Sequence, residues 1–189
     1  MKHFSGKHKL QIPERFLLFV GDRTPYKNFK RFMETFAQIH EQDRTLFAIY
    51  TGSKLKKDEQ DILIGMGIFE YTIHIKASDQ ALSELYSRAL LFVYPSLYEG
   101  FGIPILEAYA CHCPVALSNT SCFPEIAGDA AVYFDPYSIS SMSEAITKVI
   151  YNEEKRSQLI RLGNERLKRY SWEKAAQKTV EAYQKAIQS

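Results

Sequence analysis

The sequence predicts an α/β fold: a Rossmann-like, parallel, six-stranded sheet with helices on both faces, followed by C-terminal helices. Three observations predict it. Short apolar runs alternate with longer segments of helical periodicity as far as residue 134. Strands that alternate with helices imply parallel neighbours joined by right-handed crossovers, with both faces of the sheet covered. From about residue 139 the strand-like runs stop and three helical segments follow.

"RFLLFVG" (15–21) reads as the first buried strand. In 27–42, Phe29, Phe32, Met33, Phe36 and Ile39 recur at helical spacing, which predicts an amphipathic helix. "TLFAIYTG" (45–52) is a second strand, 56–68 a second helix, and "YTIHIK" (71–76) a third strand. Ser78 is placed to cap a helix over 78–89 whose apolar face is Leu82, Leu85 and Tyr86. "LLFVYPS" (90–96) is the fourth strand, and a helix begins near Pro104. "CPVALSN" (113–119) and "AVYF" (131–134) complete the sheet. Ser171 is placed to cap the last helix, whose Trp172, Ala176, Val180, Tyr183 and Ile187 form an apolar stripe.

The chain of 189 residues is about 46% hydrophobic, enough for a substantial core. Its formal net charge of +2 gives no footprint for nucleic acid. Three cysteines, Cys111, Cys113 and Cys122, make an odd set that argues against a disulfide framework and for a reducing compartment. The polar, basic residues 1–14 read as a flexible lead-in or linker, and 15–189 as one domain.

In such sheets ligands bind beyond the carboxyl ends of the strands. After the first strand, "GDRTPYKN" sets Arg23 and Lys27 beside the start of a helix, where free N–H groups favour an anion. That suits a phosphate or diphosphate; a solvated loop is the alternative. "TGSKLKK", after the second strand, is a small lysine-bearing turn. After the fourth strand, "YPSLYEGFGIPILEAYACHCPVALSN" (94–119) places Glu99 in a turn and Glu107 about one helical turn further on. Gly100 and Gly102 permit unusual backbone shapes, and Pro104 suits a first helical turn. Backbone N–H groups at Gly102, Ile103 and Ile105 can then face a ligand. A carboxylate accepts two hydrogen bonds side by side, which suits sugar hydroxyls. A ligand with hydroxyls, phosphate and hydroxyls in succession is a nucleotide sugar. The alternative is that Glu99 caps the turn and Glu107 is solvated. The run "CHC" (111–113) falls in a helix-to-strand turn, where consecutive side chains point apart; core cysteines and a turn histidine explain it better than a metal site.

The segment from "FVYPSLYEGFGIPILEAYACHCPVALSN" through "PEIAGDAA", together with "VGDRTPYKN" and "YSWEKAA", resembles the C-terminal domain of the retaining GT-B glycosyltransferases of family 4, also called group 1. Glu99 and Glu107 match the E-x7-E hallmark. The resemblance implies a donor-binding domain for a nucleoside-diphosphate sugar, with no cofactor and no metal. Lys27 and Arg23 would hold the diphosphate, and the backbone from Gly100 through Phe101 and Gly102 to Ile103 would complete the cradle. Glu99 would be the catalytic carboxylate at the donor sugar, and Glu107 would hold the ribose. Asp22 stands where many members carry arginine, Lys76 and Ala77 where many carry a glycine loop, and His112 where a glycine ends the helix. The resemblance also implies an N-terminal acceptor-binding domain, in cis or as a separate chain, onto which the last helix crosses. The expected setting is polysaccharide or lipopolysaccharide assembly in the cytoplasm, at the inner face of the membrane, with any peripheral membrane association falling to that other half. A nucleotide-sugar-binding module without catalysis is the competing reading. An epimerase or phosphorylase on the same fold, and a flavodoxin-like signalling domain, fit the glutamate pair less well.

Overall fold

The computed structural model of the chain describes residues 10–188. Six parallel strands, β1 (Phe16–Phe19), β2 (Phe47–Tyr50), β3 (Thr72–His74), β4 (Leu91–Tyr94), β5 (Val115–Ser118) and β6 (Ala131–Phe134), form one sheet in the order β3-β2-β1-β4-β5-β6. Register runs Phe16↔Phe47 to Phe19↔Tyr50 on one side of β1, and Leu17↔Leu91 and Leu18↔Phe92 on the other. The strand order therefore reverses between β1 and β4, and that is where a doubly wound sheet opens a crevice at its carboxyl edge.

The helices are α1 (Phe29–Gln42), α2 (Lys57–Gly65), α3 (Asp79–Arg88), α4 (Ile103–Ala110), α5 (Phe123–Ala127), α6 (Ile139–Ile150), α7 (Glu153–Leu167) and α8 (Trp172–Gln188). Successive strand residues face opposite sides, so each strand feeds two cores. Leu17, Phe19, Tyr50 and Val93 pack with Phe32, Phe36, Met142 and Ile146 from α1 and α6. Phe16, Leu18, Phe92 and Tyr94 pack with Leu85, Tyr86, Ile105, Tyr109 and Phe123 from α3, α4 and α5. Each such side chain contributes about 1.5–3 kcal/mol by leaving water, before the entropy of ordering it.

The expected elements appear with shorter limits, and the predicted caps hold: Ser78 accepts from the Ala81 N–H and Ser171 from the Lys174 N–H. Three differences bear on the site. The helix expected over 27–42 begins only at Phe29, because Pro25–Lys27 form a 3-10 turn and Asn28 takes a left-handed conformation (φ 57°). That backbone lets the buried Asn28 amide donate to the carbonyls of Pro95 (3.1 Å) and Pro136 (2.8 Å), tying the loops after β1, β4 and β6 together. Helix α5 was not anticipated; it is a five-residue element with Phe123 and Ile126 buried. Of the segment read as a lead-in, residues 1–9 lie outside the described residues, whereas Leu10 and Ile12 are docked, their carbonyls accepting from Arg88.

Helix α4 is seated by two contacts. At its end, Cys113 N–H reaches the Ala108 carbonyl (2.9 Å) and His112 N–H that of Tyr109 (3.0 Å), a Schellman closure. His112 holds the left-handed position (φ 56°) usually given to glycine, and its Nδ1 pairs with Asn164 Oδ1 on α7 (2.9 Å). On its flank, Gly163 of α7 lies so close to Tyr109 that an added Cβ would stand 2.5 Å from the ring.

Helix α8 behaves differently. Its apolar stripe lies uncovered: Trp172 is 81% exposed and Ile187 85%, and every residue from 171 to 187 is exposed. Among the described residues no helix is long and apolar enough to cross a membrane.

Candidate functional site

The loops after β1 and β4 meet at the carboxyl edge of the sheet. Leu97 N–H donates to the Tyr26 carbonyl (2.7 Å), locking one loop on the other. Lys27 leaves the end of its 3-10 turn and reaches across the gap, its Nζ 2.6 Å from Glu99 Oε1 and 3.4 Å from Tyr94 Oη. The two charged side chains are about equally shielded, 14% and 15% exposed. Tyr94 comes from the last position of β4, and its ring lies 5.2 Å beneath the ammonium. Burial, reinforced by the neighbouring Glu99 carboxylate, pushes the Tyr94 phenol well above its ordinary pKa, so it stays protonated and can donate to Glu99.

Glu99 is fixed through its backbone as well. Ser121 Oγ donates to the Glu99 carbonyl and accepts its N–H (3.2 Å), and the Cys122 thiol points at the same carbonyl (3.2 Å). The Glu99 turn is therefore clamped by the loop that leads into α5.

Glu107 lies in the second turn of α4, partly exposed. Its Oε2 accepts a hydrogen bond from Tyr86 Oη on α3 (3.2 Å). Between the two glutamates, Gly102 caps α4 with φ 92°. A Cβ there would stand 3.0 Å from Ile105 Cδ1 and 3.4 Å from the Phe123 ring, so glycine is required both by conformation and by space. Gly100 has no such need: its φ is not left-handed and a Cβ would meet nothing within 4 Å. The Ile105 N–H turns back to the Gly102 carbonyl (2.9 Å), which removes it from the expected anion cradle. The N–H groups of Gly102 and Ile103 remain at the positive end of the α4 dipole. Phe101 and Ile103 are 44% and 50% exposed beside them, with Phe101 edge-on to Tyr170 (5.9 Å).

Arg23 does not join this group. Its side chain is 6% exposed and makes a two-point contact with Glu59 on α2, at 2.9 and 3.1 Å. Further bonds run to the carbonyls of Ser53 and Lys54, and the guanidinium lies over the rings of Phe29 and Tyr50. That pairing lowers the Glu59 pKa. The lysine-bearing turn after β2 is thus a buttress. Gly52 (φ 88°) sits where a Cβ would come within 2.4 Å of the Gly21 carbonyl oxygen, and Arg23 staples the turn to the β1 loop.

Sequence reasoning named Lys27, Glu99, Gly102, Ile103 and Glu107, which the fold gathers along one edge. It missed Tyr86, Tyr94, Asn28 and Ser121, which position them. Tyr86 and Tyr94 carried no signal beyond apolarity, since each sits in a run that reads as core. Two concavities, about 260 Å³ between α1 and α2 and about 420 Å³ beyond β5 and β6, are not lined by Lys27, Glu99 or Glu107. Among the described residues no three His, Cys, Asp or Glu side chains are grouped to hold a metal ion.

Comparison with known proteins agrees with this architecture. The O-antigen chain mannosyltransferase B of Escherichia coli is 31% identical over 175 residues, covering 89% of this chain and 45% of that protein. The sucrose-phosphate synthase of Thermosynechococcus elongatus superposes with a TM-score of 0.81 at 20% identity, over 93% of this chain and 47% of that one. Anabaena HepE, solved in complex with UDP and glucose, superposes with a TM-score of 0.80 at 17% identity, over 90% and 48%. The chain spans just under half the length of each of these three proteins. Residues 2–166 match the family described as Glycosyl transferases group 1, and with the E-x7-E pair set at the switch point of its sheet, this chain belongs to that family.

Proposed function

We propose that this chain is the donor-binding half of a retaining glycosyltransferase of family 4, acting on a nucleoside-diphosphate sugar. The observation that carries the reading is the meeting of Lys27 and Glu99 at 2.6 Å beside the N-terminus of α4, at the reversal point of the strand order. A diphosphate at that point would replace Glu99 as the partner of Lys27 and take the N–H groups of Gly102 and Ile103. Glu99, released from the lysine, would then accept from the donor sugar's hydroxyls at the reacting face. Glu107, one to two turns along α4, would accept from the ribose diol. Lys27 and the helix terminus carry the diphosphate charge in this reading without a metal ion, and EDTA is expected to leave binding unchanged. The buried salt links of Arg23 favour a supporting role for it, behind the β1 loop.

The name of the Escherichia coli relative favours a mannosyl donor and a growing surface polysaccharide as acceptor. The near-half length relative to these proteins favours an acceptor-binding domain supplied in cis or by a separate chain. Reaction requires donor and acceptor within near-attack distance, so the 189-residue chain alone is expected to bind donor without transferring sugar. A thermal-shift panel of UDP-, GDP- and ADP-sugars, followed by calorimetry, tests the reading. Selective stabilisation by one nucleotide series is the expected result. No response to any of them would overturn it, and transfer by the chain alone would overturn the assignment as a half-enzyme. Donor binding with no transfer in the presence of an added N-terminal half would favour a binding module instead.

A further inference from the structure

The Tyr86 phenol is 1% exposed, lies edge-on to Phe92 (centroids 5.3 Å, planes 88°), and points its Oη at Glu107 Oε2 (3.2 Å). A buried hydroxyl has no water to fall back on, and the ring cannot swing without disturbing β4. Glu107, by contrast, is partly exposed at the surface of α4, where an unrestrained carboxylate would sample several rotamers. From this juxtaposition we infer that Tyr86 is a positioning residue: its O–H holds one oxygen of Glu107 and so presents the other outward, oriented for a vicinal diol. The inference rests on the reading of Glu107 as the ribose ligand.

Several features agree with that role. The phenol stays protonated, because burial and then the charge of Glu107 itself raise its pKa well above the ordinary value. The contact adds a polar tie between α3 and α4, which already pack in one core, at the residue the role requires to stay put. A Tyr–Glu pair is also better suited to the task than an ion pair. A cation beside Glu107 would neutralise the acceptor and compete with neutral hydroxyls, whereas a phenol fixes the carboxylate and leaves its charge intact. Glu99 shows the opposite arrangement, since its carboxylate is matched by Lys27 and is freed only when another anion takes the lysine.

The experiment is calorimetry on the 189-residue chain and its Tyr86→Phe variant. The probes are UDP, GDP and ADP, and, for whichever binds tightest, the 2′,3′-dideoxy form. The wild-type chain is expected to bind the ribose form at least about tenfold more tightly than the dideoxy form. Tyr86→Phe keeps the ring and its packing, so the melting temperature reports whether the fold is intact. The expected result is a loss of roughly three- to tenfold for the ribose form with the dideoxy form unchanged, so that discrimination between them shrinks. In a Glu107→Gln background the same substitution should alter neither ligand further. Equal weakening of both forms by Tyr86→Phe, or unchanged discrimination, overturns the positioning role while leaving the ribose reading standing. Failure of the wild-type chain to discriminate overturns the ribose reading, and the role of Tyr86 with it.

Discussion

The turn at 95–102 and the helix that follows it each present one glutamate to the same edge, but they hold it in different ways. Glu99 sits on irregular chain, clamped by hydrogen bonds from Ser121 and by the bond from Leu97 to Tyr26, and its charge is balanced by Lys27. Glu107 sits on regular helix, seated by close packing against α7 and held by a neutral phenol. The first arrangement is electrostatic, and in the proposed reading it is exchangeable, because a competing anion would take the lysine. The second is steric and fixed. A site that must release one carboxylate for chemistry while keeping the other still would need this asymmetry.

The largest effect is expected from disturbing the seat of α4. Gly163→Ala puts a Cβ within 2.5 Å of Tyr109, whose hydroxyl also donates to the Ala130 carbonyl (3.1 Å). Overpacking there should cost about 2 kcal/mol and lower Tm by roughly 4–8 °C, measured by calorimetric melting. The loss should appear in Glu107-dependent binding before it appears in the Lys27–Glu99 contact.

Next come the ligands. Glu107→Ala should weaken a nucleoside diphosphate, with or without its sugar, by at least about tenfold, or about 1.4 kcal/mol. Lys27→Ala should weaken both as well, through the diphosphate. Glu99→Ala should weaken only the intact nucleotide sugar. Affinity for the bare diphosphate should stay level or tighten by up to about threefold, since Lys27 loses a competitor. Calorimetry on the three variants with both ligands decides. Identical patterns for Glu99→Ala and Glu107→Ala would end the division of labour.

A carboxylate remote from the site gives a purely structural control. Asp43 accepts from Thr45 (2.6 Å), Arg15 (2.9 Å) and Tyr151 (3.0 Å), joining the start of β1 to the ends of α1 and α6. Chiefly the Thr45 hydroxyl, then Arg15 and Tyr151, working against burial, lowers its pKa from 3.8 to about 2. A depressed folded-state pKa stabilises above the unfolded value, so this contribution is whole above pH 4 and fades as pH falls from about 4 to 2. Solvent screening of the exposed Arg15 limits it to about 1 kcal/mol. Urea melts of the wild-type chain and Asp43→Asn should converge as pH falls over that window. A difference that stayed constant would refute the assignment.

The smallest effect should come from α8. With residues 171–187 all exposed, a chain ending after Tyr170 should lose no more than about 0.5 kcal/mol. The bond from Tyr170 to the Ile126 carbonyl and its ring contact with Phe101 are retained in that shortened chain. A larger fall in Tm would show that α8 contributes to the body of the fold.

The amino-acid sequence by itself determined the sheet and most of the helices, and it singled out Lys27, Glu99 and Glu107 as site candidates. Short apolar runs that alternate with amphipathic helices read as parallel strands under helices, and the Glu99-to-Glu107 spacing survives any small shift in helix limits. Only the tertiary structure decided which cation meets Glu99. Arg23 and Lys27 are four residues apart on one loop, and local sequence treats them alike. The acid on α2 and the carbonyls of the turn after β2 hold Arg23 inward, leaving Lys27 to face the edge. The tertiary structure also decided that α5 forms, since five residues gain their helical stability from burying Phe123 and Ile126 rather than from propensity. The same holds for Tyr86 and Tyr94. A tyrosine in an apolar run looks like core, and both are core; what the far end of each ring touches depends on residues 21 and 67 positions away, brought there by packing that no local pattern encodes.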